Sequence, residues 1–404
     1  MHGATEVPLK EQIKTKANEI FDEVVELRRD IHRHPELAFE EKRTSQLAAN
    51  YLRELGYEVT QGVAKTGVVA DLKGGKATAT SKTIAFRADM DALPMNEENS
   101  HNFCSTKPNV MHACGHDAHT AMMLGAAKIL ASLQAELPGS IKFIFQPSEE
   151  CAPGGAKLML ESGLFADKIP DAIFGQHCMP QVPVGKIGFL SGAMMAAADE
   201  LYINVFGKGG HASAPHRAND PILAAVQIVN SLQTIVSRNF PPHEPAVLTI
   251  AAINGGSATN IIPNEVKMKG TYRTMNEEWR EIGHQRIEEI VHATAKAMGV
   301  RAEIEIRKGY PAVVNDKNMT EFAIDLSREY LGEANTITPE PMMAAEDFAY
   351  FLQACKGAYW MLGVGNEEKG IVHNIHSTHF DIDEEALRIG TGFVSYLAMN
   401  FLSK

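Results

Sequence analysis

Apolar residues recur at helical spacing over the first 55 residues and then gather into short runs. Ile13, Val24 and Ile31 fall on one helical face, and a second set within 47–55 ends before Gly56, so the pattern predicts two helices there. Further along, apolar runs alternate with helical stretches such as 117–134. The runs predicted as strands are 67–72, 83–89, 141–146, 172–177 and 358–364. Strands alternating with helices indicate an α/β layer with a largely parallel sheet.

Between residues 193 and 311 the order of the predicted elements changes to β-α-β-β-α-β. The predicted elements are strand 199–207, helix 219–238, strands 246–253 and 264–274, helix 277–298 and strand 301–307. This order is the ferredoxin-like pattern, which forms a self-contained module. The alternation of helices and strands then resumes with a helix near 317–331 and ends in a helix over 383–402. We therefore predict one discontinuous α/β domain made of 1–192 and 312–404, interrupted by an inserted domain at 193–311.

Composition and charge narrow the class of protein. The chain has 404 residues, of which 45% are hydrophobic and 22% charged, as is usual for a folded globular protein. A formal net charge of −12 argues against a protein that grips nucleic-acid phosphates. We find neither a signal peptide nor an apolar run long enough to span a membrane, and five cysteines in no regular spacing suit reduced thiols. These features lead us to expect a cytoplasmic protein that binds neither membrane nor nucleic acid.

Four clusters of polar residues lie where predicted strands end or a helix begins. The segment "HACGHD" opens the helix at 117–134, while "QPSEE", "GQHCMP" and "HNIHSTHFD" each end or follow a strand. Ligands of open α/β sheets collect at the carboxyl ends of the strands, so these clusters could share one crevice. The candidate ligands are Cys114, His116, Glu150, His177 and His376. Each alone could be a buried thiol or a satisfied histidine, but together they suit one or two divalent transition-metal ions.

Two further features stay open on the residues alone. Neighbouring side chains in an extended segment point in opposite directions, so one of Glu149 and Glu150 could bind metal while the other exchanges protons with a substrate. The alternative is a solvated acidic pair. The segment "GKGGHASAPH" with His211 lacks phosphate-loop spacing, and "GGSATNIIPNE" with Asn260 joins two strands, so either could be a simple turn.

Seven segments together resemble the metal-dependent amidohydrolases that include hippurate hydrolases, N-acyl-amino-acid amidohydrolases and auxin-conjugate hydrolases, relatives of aminoacylase and carboxypeptidase G. In chain order they are "RRDIHRHPELAFEE", "FRADMDALPMNE", "HACGHDAHTAMMLGAAK", "FIFQPSEE", "GKGGHASAPH", "GGSATNIIPNEVKMKGTYRT" and "MMAAEDFAYF". The resemblance implies a zinc-peptidase-like catalytic domain with an inserted ferredoxin-like lid that mediates homodimerisation. It also implies two divalent transition-metal ions per chain, whether zinc, manganese, nickel or cobalt.

The resemblance also implies roles for the matching residues. The five candidate ligands would hold the metals, and Glu149 would be the general base. His211 would polarise the scissile carbonyl, with Asn260 assisting it. Asp89 would orient a metal ligand, and Arg273 would bind a substrate carboxylate.

The expected reaction is hydrolysis of the amide bond of an N-acyl amino acid by a metal-activated water. Around the ligands, Gln176, Cys178, Met179 and Cys151 depart from the residues usual in the family, which leaves the substrate open. One alternative is a dipeptidase or carboxypeptidase on the same scaffold. A non-catalytic metal-binding homologue is another, although such proteins normally lose a ligand or the base. A zinc deaminase would need an H-x-E and P-C-x-x-C pairing that is absent.

Overall fold

The structure is a computed structural model that describes residues 7–404. Residues 1–6, on which the expectation of no signal peptide partly depends, lie outside the described residues. The chain divides into two compact units, which we describe separately. Unit one runs to Gly192 and includes Val314–Glu340 and Tyr350–Lys404, and unit two contains Ala193–Val313 and Pro341–Ala349. The domain limits drawn from the sequence stay a prediction.

Ten α-helices occur in the described residues. They are α1 (Leu9–Glu19), α2 (Phe21–Arg33), α3 (Lys42–Glu54), α4 (His116–Ser132), α5 (Gly155–Glu161), α6 (Pro221–Thr234), α7 (Glu277–Ala297), α8 (Lys317–Leu331), α9 (Phe348–Ala354) and α10 (Glu385–Ser403). None of the helices within residues 7–404 is long and apolar enough to cross a membrane.

Sixteen strands accompany the helices in the same part of the chain. They are β1 (Glu58–Val63), β2 (Gly67–Lys73), β3 (Thr83–Asp89), β4 (Ser140–Gln146), β5 (Ala172–Pro183), β6 (Ile187–Gly188), β7 (Gly192–Met195), β8 (Ala197–Phe206), β9 (Gly210–His211), β10 (Ala246–Asn254), β11 (Ile261–Ile262), β12 (Glu265–Thr274), β13 (Arg301–Lys308), β14 (Val313–Asn315), β15 (Thr336–Ile337) and β16 (Gly357–Gly365).

Unit one is built on an eight-stranded mixed sheet. Its order is β1-β2-β4-β3-β5-β16-β6-β15, and the four central strands from β4 to β16 are parallel. The β1-β2 and β2-β4 pairs at one edge are antiparallel, as is the β16-β6 pair. Parallel pairing, as predicted from the apolar runs, thus holds in the centre, where β3 and β16 are buried along their whole length, and recurs in the short β6-β15 pair at the other edge. Strand β1 was not predicted because its residues alternate between exposed and half-buried positions.

The first 55 residues form three helices rather than the predicted two. The apolar stripe over 13–31 is interrupted at Ile20, whose φ of −101° and ψ of 3° leave helical geometry and end α1. Both α1 and α2 still bury their apolar faces in the core of unit one, so the stripe continues across the break. Hydrophobic spacing therefore identified the buried face but not the bend between the helices.

Helix α4 is the buried centre of unit one. Fourteen of its seventeen residues are buried, and α2, α10 and β3 pack around it. Small side chains permit this close packing, since a Cβ on Gly125 would lie 2.7 Å from the Cγ2 atom of Val24. Because α4 is held within the core, the side chains of its first turn have fixed positions at the edge of the sheet.

Unit two contains a four-stranded antiparallel sheet in the order β10-β12-β8-β13. Along β8 buried residues alternate with more exposed ones, so one face of the sheet packs on a core that helices α6 and α7 complete. The elements from β8 to β13 include the order β-α-β-β-α-β. Two-stranded pairing of β9 with β11 brings the segments near His211 and Asn260 side by side.

Candidate active site

Cys114 and His116 flank a glycine that fixes how both side chains are presented. Gly115 caps α4 with a φ of +92°, a left-handed conformation that a residue with a Cβ adopts only with strain. A Cβ at this position would also lie 2.9 Å from the Cβ of Cys178 on β5. The sharp turn holds the Cys114 thiol and the His116 imidazole in the interior, both buried.

Two imidazoles are held in the tautomer that a metal ligand needs. His116 donates from Nδ1 to the main-chain oxygen of Asp91 at 2.9 Å, and His177 donates from Nδ1 to the main-chain oxygen of Cys178 at 2.8 Å. Because a carbonyl oxygen can only accept, each Nδ1 keeps its proton and Nε2 is the atom left to bind a cation once it carries no proton. The His116 Nε2 atom is buried without a hydrogen-bond partner, so the fold leaves it available.

Glu149 and Glu150 follow β4 on a bend rather than on an extended segment. Ser148 has a positive φ of 51°, and the next two backbone N–H groups donate to the two carboxylate oxygens of Asp91 at 2.9 and 3.0 Å. An oxygen of each glutamate and a nitrogen of His116 lie within 4.8 Å of one another. The prediction that neighbouring carboxylates point in opposite directions is wrong, because the bend at Ser148 turns both toward the same place.

All five predicted metal ligands meet in unit one. The ligand atoms of Cys114, His116 and His177 form one group within 4.8 Å, and those of Cys114, Glu150 and His376 form another. The Cys114 Sγ lies 3.4 Å from the His177 Nε2, and the His376 Nε2 lies 3.1 Å from the Glu150 Oε1. Cys114 thus belongs to both candidate ligand groups.

His376 reaches this place from the loop after β16. Its backbone has a positive φ of 61°, and its N–H donates to the main-chain oxygen of Ala113 at 2.7 Å. This hydrogen bond ties the loop to the residue before Cys114, although the His376 side chain itself is half exposed. His177, predicted to end its strand, instead lies within β5, which continues to Pro183.

The electrostatics of the cluster favour a bound cation. Burial raises the pKa of the Cys114 thiol well above its usual value, and the carboxylates of Glu150 and Glu149 raise it further. Burial opposes protonation of His116, but Asp89, Asp91 and Glu150 together raise the pKa of that imidazole to about 10. Burial lowers the pKa of His177 to about 3, which keeps its imidazole neutral. A divalent cation would replace the protons that these acidic surroundings otherwise retain.

The donor set therefore fits divalent transition metals. Sulfur and nitrogen donors converge there with carboxylates, whereas calcium and magnesium prefer a set made of oxygen donors. Two carbonyl oxygens already fix the imidazole tautomers, and one buried Nε2 atom has no protein partner. Cys114, His116, Glu150, His177 and His376 are the residues that would hold the ions.

Asp89 contacts the cluster through a second imidazole. Its Oδ1 lies 2.6 Å from the Nδ1 of His119, and its Oδ2 lies 3.6 Å from the Nε2 of His116. His119 accepts the backbone N–H of Cys178 at its Nε2, so its Nδ1 must be the donor to Asp89. Arg87 also donates to Asp89, at 2.6 Å. The orienting role expected of Asp89 stays a prediction.

Unit two carries the remaining predicted residues. His211 is exposed on β9, and the main-chain oxygen of Asn260 accepts the N–H of Ala212 at 3.0 Å. Arg273 on β12 donates from Nη1 to the main-chain oxygen of Met343 at 2.8 Å. The pairing of β9 with β11 thus brings His211 and Asn260 together, while one Arg273 nitrogen already has a protein partner.

Sequence reasoning missed Asp91. This buried residue accepts the N–H groups of Glu149 and Glu150 with its carboxylate and the His116 Nδ1 with its main-chain oxygen. The only signal in the sequence is its place two residues after Asp89 in "RADMD". Asp91 therefore positions two candidate ligands, His116 and Glu150, together with Glu149.

Replacing Asp91 with asparagine is expected to weaken metal binding by about 10–100-fold. An amide can accept only one of the two N–H groups, so the bend that carries Glu149 and Glu150 loses a hydrogen bond. Competition with a chromophoric chelator measures the affinity. Asp71→Asn, on β2 beside Lys142, is the matched control and should bind metal normally. Unchanged affinity in Asp91→Asn would show that Asp91 does not position the ligands.

Metal affinity is expected to rise with pH across the neutral range. The raised pKa values of Cys114 and His116 mean that both groups carry a proton when no metal is bound. For each proton that the metal displaces, the apparent metal affinity rises about tenfold per pH unit. Chelator competition between about pH 6 and pH 8 measures this slope. A flat profile, after correction for the chelator's own protonation, would contradict the assignment of these groups as protonated ligands.

An α/β sheet edge that gathers these ligands around two candidate ion positions, with Glu149 beside them, defines a metal-dependent hydrolase. Comparison with known proteins agrees, since the model of peptidase family M20/M25/M40 matches residues 85–400. The chain belongs to this family and is a metal-dependent amidohydrolase. The resemblance seen in the seven motifs is thereby confirmed.

Relatives of known name span nearly the whole chain. A hippurate hydrolase of Campylobacter jejuni is 40% identical over 381 residues, which cover 94% of this chain and 97% of that protein. Thermostable carboxypeptidase 1 of Saccharolobus solfataricus is 40% identical over 400 residues, covering 98% and 100%. The crystal structure of Bacillus subtilis YXEP protein, described as a dinuclear metal binding peptidase, has a TM-score of 0.83 at 34% identity, covering 96% and 99%. The likeness to the YXEP protein supports a site for two metal ions.

Proposed function

We propose that the protein hydrolyses the amide bond of N-acyl amino acids, hippurate-like or N-acetyl conjugates among them. The observation that carries the proposal is the position of Glu149, whose carboxylate lies within 4.8 Å of ligand atoms of His116 and Glu150. A carboxylate so placed can exchange protons with a water molecule at the ions. The similarity to a hippurate hydrolase supports acyl conjugates as the substrate class.

Each residue has a defined part in this reaction. The two ions, when bound, would acidify the attacking water and polarise the carbonyl. Glu149 takes the proton of that water and later gives it to the nitrogen of the leaving amine. Asp91 holds Glu149 in place through its backbone N–H. Arg273 and Asn260 are proposed to contact the substrate, and Arg273 would bind its carboxylate.

His211 is proposed to stabilise the oxyanion that forms on the substrate. The backbone N–H of Ser213 lies 3.1 Å from the His211 Nδ1, and the Ser213 Oγ lies 2.8 Å from the same atom. Because a backbone N–H can only donate, the Nδ1 atom accepts, and the neutral ring carries its proton on Nε2. An exposed Nε2–H is the donor that a developing oxyanion requires.

Unit two is proposed to act as a ferredoxin-like lid through which two copies associate. Its β-α-β-β-α-β order and the exposed apolar residues Ile222, Leu223 and Val226 on α6 support an interface on this unit. The donor set of the five active-site ligands suits zinc, manganese, nickel and cobalt alike. The cytoplasmic location stays a prediction. Sedimentation that finds only monomers at working concentration would contradict the dimer.

The experiment that tests the reaction measures amino-acid release from a panel of N-acyl amino acids, with hippurate included and dipeptides alongside. Release from acyl conjugates that stops on chelation and returns with added metal is the expected result. A carboxypeptidase or dipeptidase is the second candidate, favoured by the similarity to thermostable carboxypeptidase 1. Faster cleavage of peptides than of acyl conjugates would replace the proposal with that alternative.

A further inference from the structure

A second cluster of metal-binding side chains lies in unit one, apart from the five ligands. Between β3 and α4 the chain runs from Met90 to Gly115 without a helix or strand of its own, apart from isolated bridges. Glu97 and His101 lie on this irregular segment, and His32 comes from α2. Long segments without regular structure usually have a function or are fixed by specific contacts.

The three side chains converge on one carboxylate oxygen. The Glu97 Oε1 lies 3.2 Å from the His32 Nε2 and 3.3 Å from the His101 Nε2. The ligand atoms of all three lie within 4.8 Å of one another. Ligands of a tetrahedral zinc ion with bonds of 2.0–2.1 Å are about 3.4 Å apart, so the two separations from the Glu97 Oε1 match edges of such a site.

Both imidazoles have partners on the nitrogen that faces away from the cluster. The His32 Nδ1 lies 2.7 Å from the Oδ2 of Asp117, and the His101 Nδ1 lies 3.3 Å from the Sγ of Cys104. A carboxylate that accepts Nδ1–H is the usual partner behind a zinc-binding histidine, and a bound ion would displace the proton through which the His32 Nε2 now contacts Glu97. His32 is fully buried, so its ring is held rigidly.

Hydrogen bonding alone accounts for only part of this arrangement. His32 bonds to Glu97 through Nε2, and Glu97 also accepts from Asn99 at 3.1 Å and from the Ser105 N–H at 2.6 Å. The buried His101 Nε2 has no hydrogen-bond partner, although it lies close to the same Glu97 oxygen. A cation between the three atoms would satisfy the nitrogen that hydrogen bonds leave unsatisfied.

A cavity gives the cluster access to cations. Its volume is ≈ 350 Å³, and its lining includes His101, Phe103 and Lys369 together with the acidic residues Asp381, Asp383, Glu384 and Glu385. The nearby Arg28 guanidinium is already paired with Asp117 and Asp381. Arg29 pairs with Glu384, Lys369 with Asp383 and Arg388 with Glu385, so cationic side chains balance the acidic lining and the cavity provides only a route to His101.

We propose that His32, Glu97 and His101 bind a further divalent transition-metal ion, with zinc as the preferred ion. Two imidazoles and one carboxylate form a ligand set that zinc accepts, with a fourth position left for water. The ion would join α2 to the irregular segment before α4. The proposal does not depend on the reaction or on the five ligands of the active site.

The test is the zinc content of the full-length, tag-free chain after dialysis against a zinc buffer, measured by mass spectrometry of the metal. The wild type is expected to hold about one zinc ion more per chain than His101→Asn. His292→Asn, an exposed histidine on α7, is the matched control and should equal the wild type. Circular dichroism confirms that the variants are folded.

Anomalous diffraction at the zinc edge provides a measurement that needs no variant. A peak bonded to the His32 Nε2, the Glu97 oxygen and the His101 Nε2 is the expected result in wild-type crystals grown with zinc. The proposal is overturned if no peak appears there while the active-site ions are visible, or if His101→Asn and the wild type hold equal amounts of zinc.

Discussion

Glu149→Gln is expected to lower kcat by about 10²–10⁴-fold while leaving the metal content unchanged. Glutamine keeps the size of the side chain, and the backbone N–H of residue 149 can still donate to Asp91. The amide cannot take a proton from water at neutral pH, so proton transfer to the leaving amine is lost with it. Steady-state kinetics on an N-acyl amino acid, with metal analysis of the same sample, measures both quantities.

His177→Ala is the contrasting variant for this prediction. It removes an imidazole whose Nε2 lies 3.4 Å from the Cys114 Sγ, so both metal content and turnover should fall. The two variants together separate proton transfer from metal binding. Near-normal turnover in Glu149→Gln would show that another group is the base, and lost metal would show that Glu149 is a ligand.

Hydrophobic periodicity was a reliable guide where whole faces of elements are buried. Strand β3 and helix α8 were predicted at 83–89 and 317–331, which are their observed bounds, because apolar runs and cap residues mark them clearly. Strand β1 and the break at Ile20 escaped prediction. Strand β1 lacks buried residues, and the break at Ile20 depends on backbone angles that the spacing of apolar residues does not reveal.

The active-site cluster was predicted as a set of residue types, but its supports were not. Cys114, His116 and His177 stand out in the sequence because thiols and imidazoles beside strand ends are unusual. Asp91 is one carboxylate among many, and its three hydrogen bonds exist only after β3, β4 and α4 are packed together. The bend at Ser148, which overturned the opposed orientation of the two glutamates, likewise depends on Asp91.

Nothing in the sequence indicates that Arg28 is fully buried beside Asp117. Arg28 donates from Nε to the Asp117 Oδ2 at 2.8 Å and from Nη2 to Asp381 at 3.0 Å. Burial opposes ionisation of Asp117, but Arg28 and His32 hold the pKa of that carboxyl well below its usual value. A buried charge of this kind depends on its partner, since a lone carboxylate in the interior is costly.

Arg28→Met is therefore expected to lower the free energy of unfolding by about 3–5 kcal/mol. Methionine retains much of the apolar stem but leaves Asp117 with only His32 as a counter-charge. Urea denaturation of the metal-free protein measures the loss without a contribution from metal binding. Arg29→Met is the matched control, since the Arg29 side chain is 31% exposed and pairs with Glu384, and it should cost about 1 kcal/mol or less.

The pH dependence of stability provides an independent check on the same pair. Because the pKa of Asp117 is lowered on folding, its contribution is present above the unfolded pKa of about 4 and is lost as the pH falls toward the folded value. Removing Arg28 raises the folded pKa, so the variant should lose less stability on acidification than the wild type. Asp117→Asn in the Arg28→Met background should recover part of the loss, because it removes the unpaired charge. Equal losses in Arg28→Met and Arg29→Met would show that burial of the pair contributes nothing.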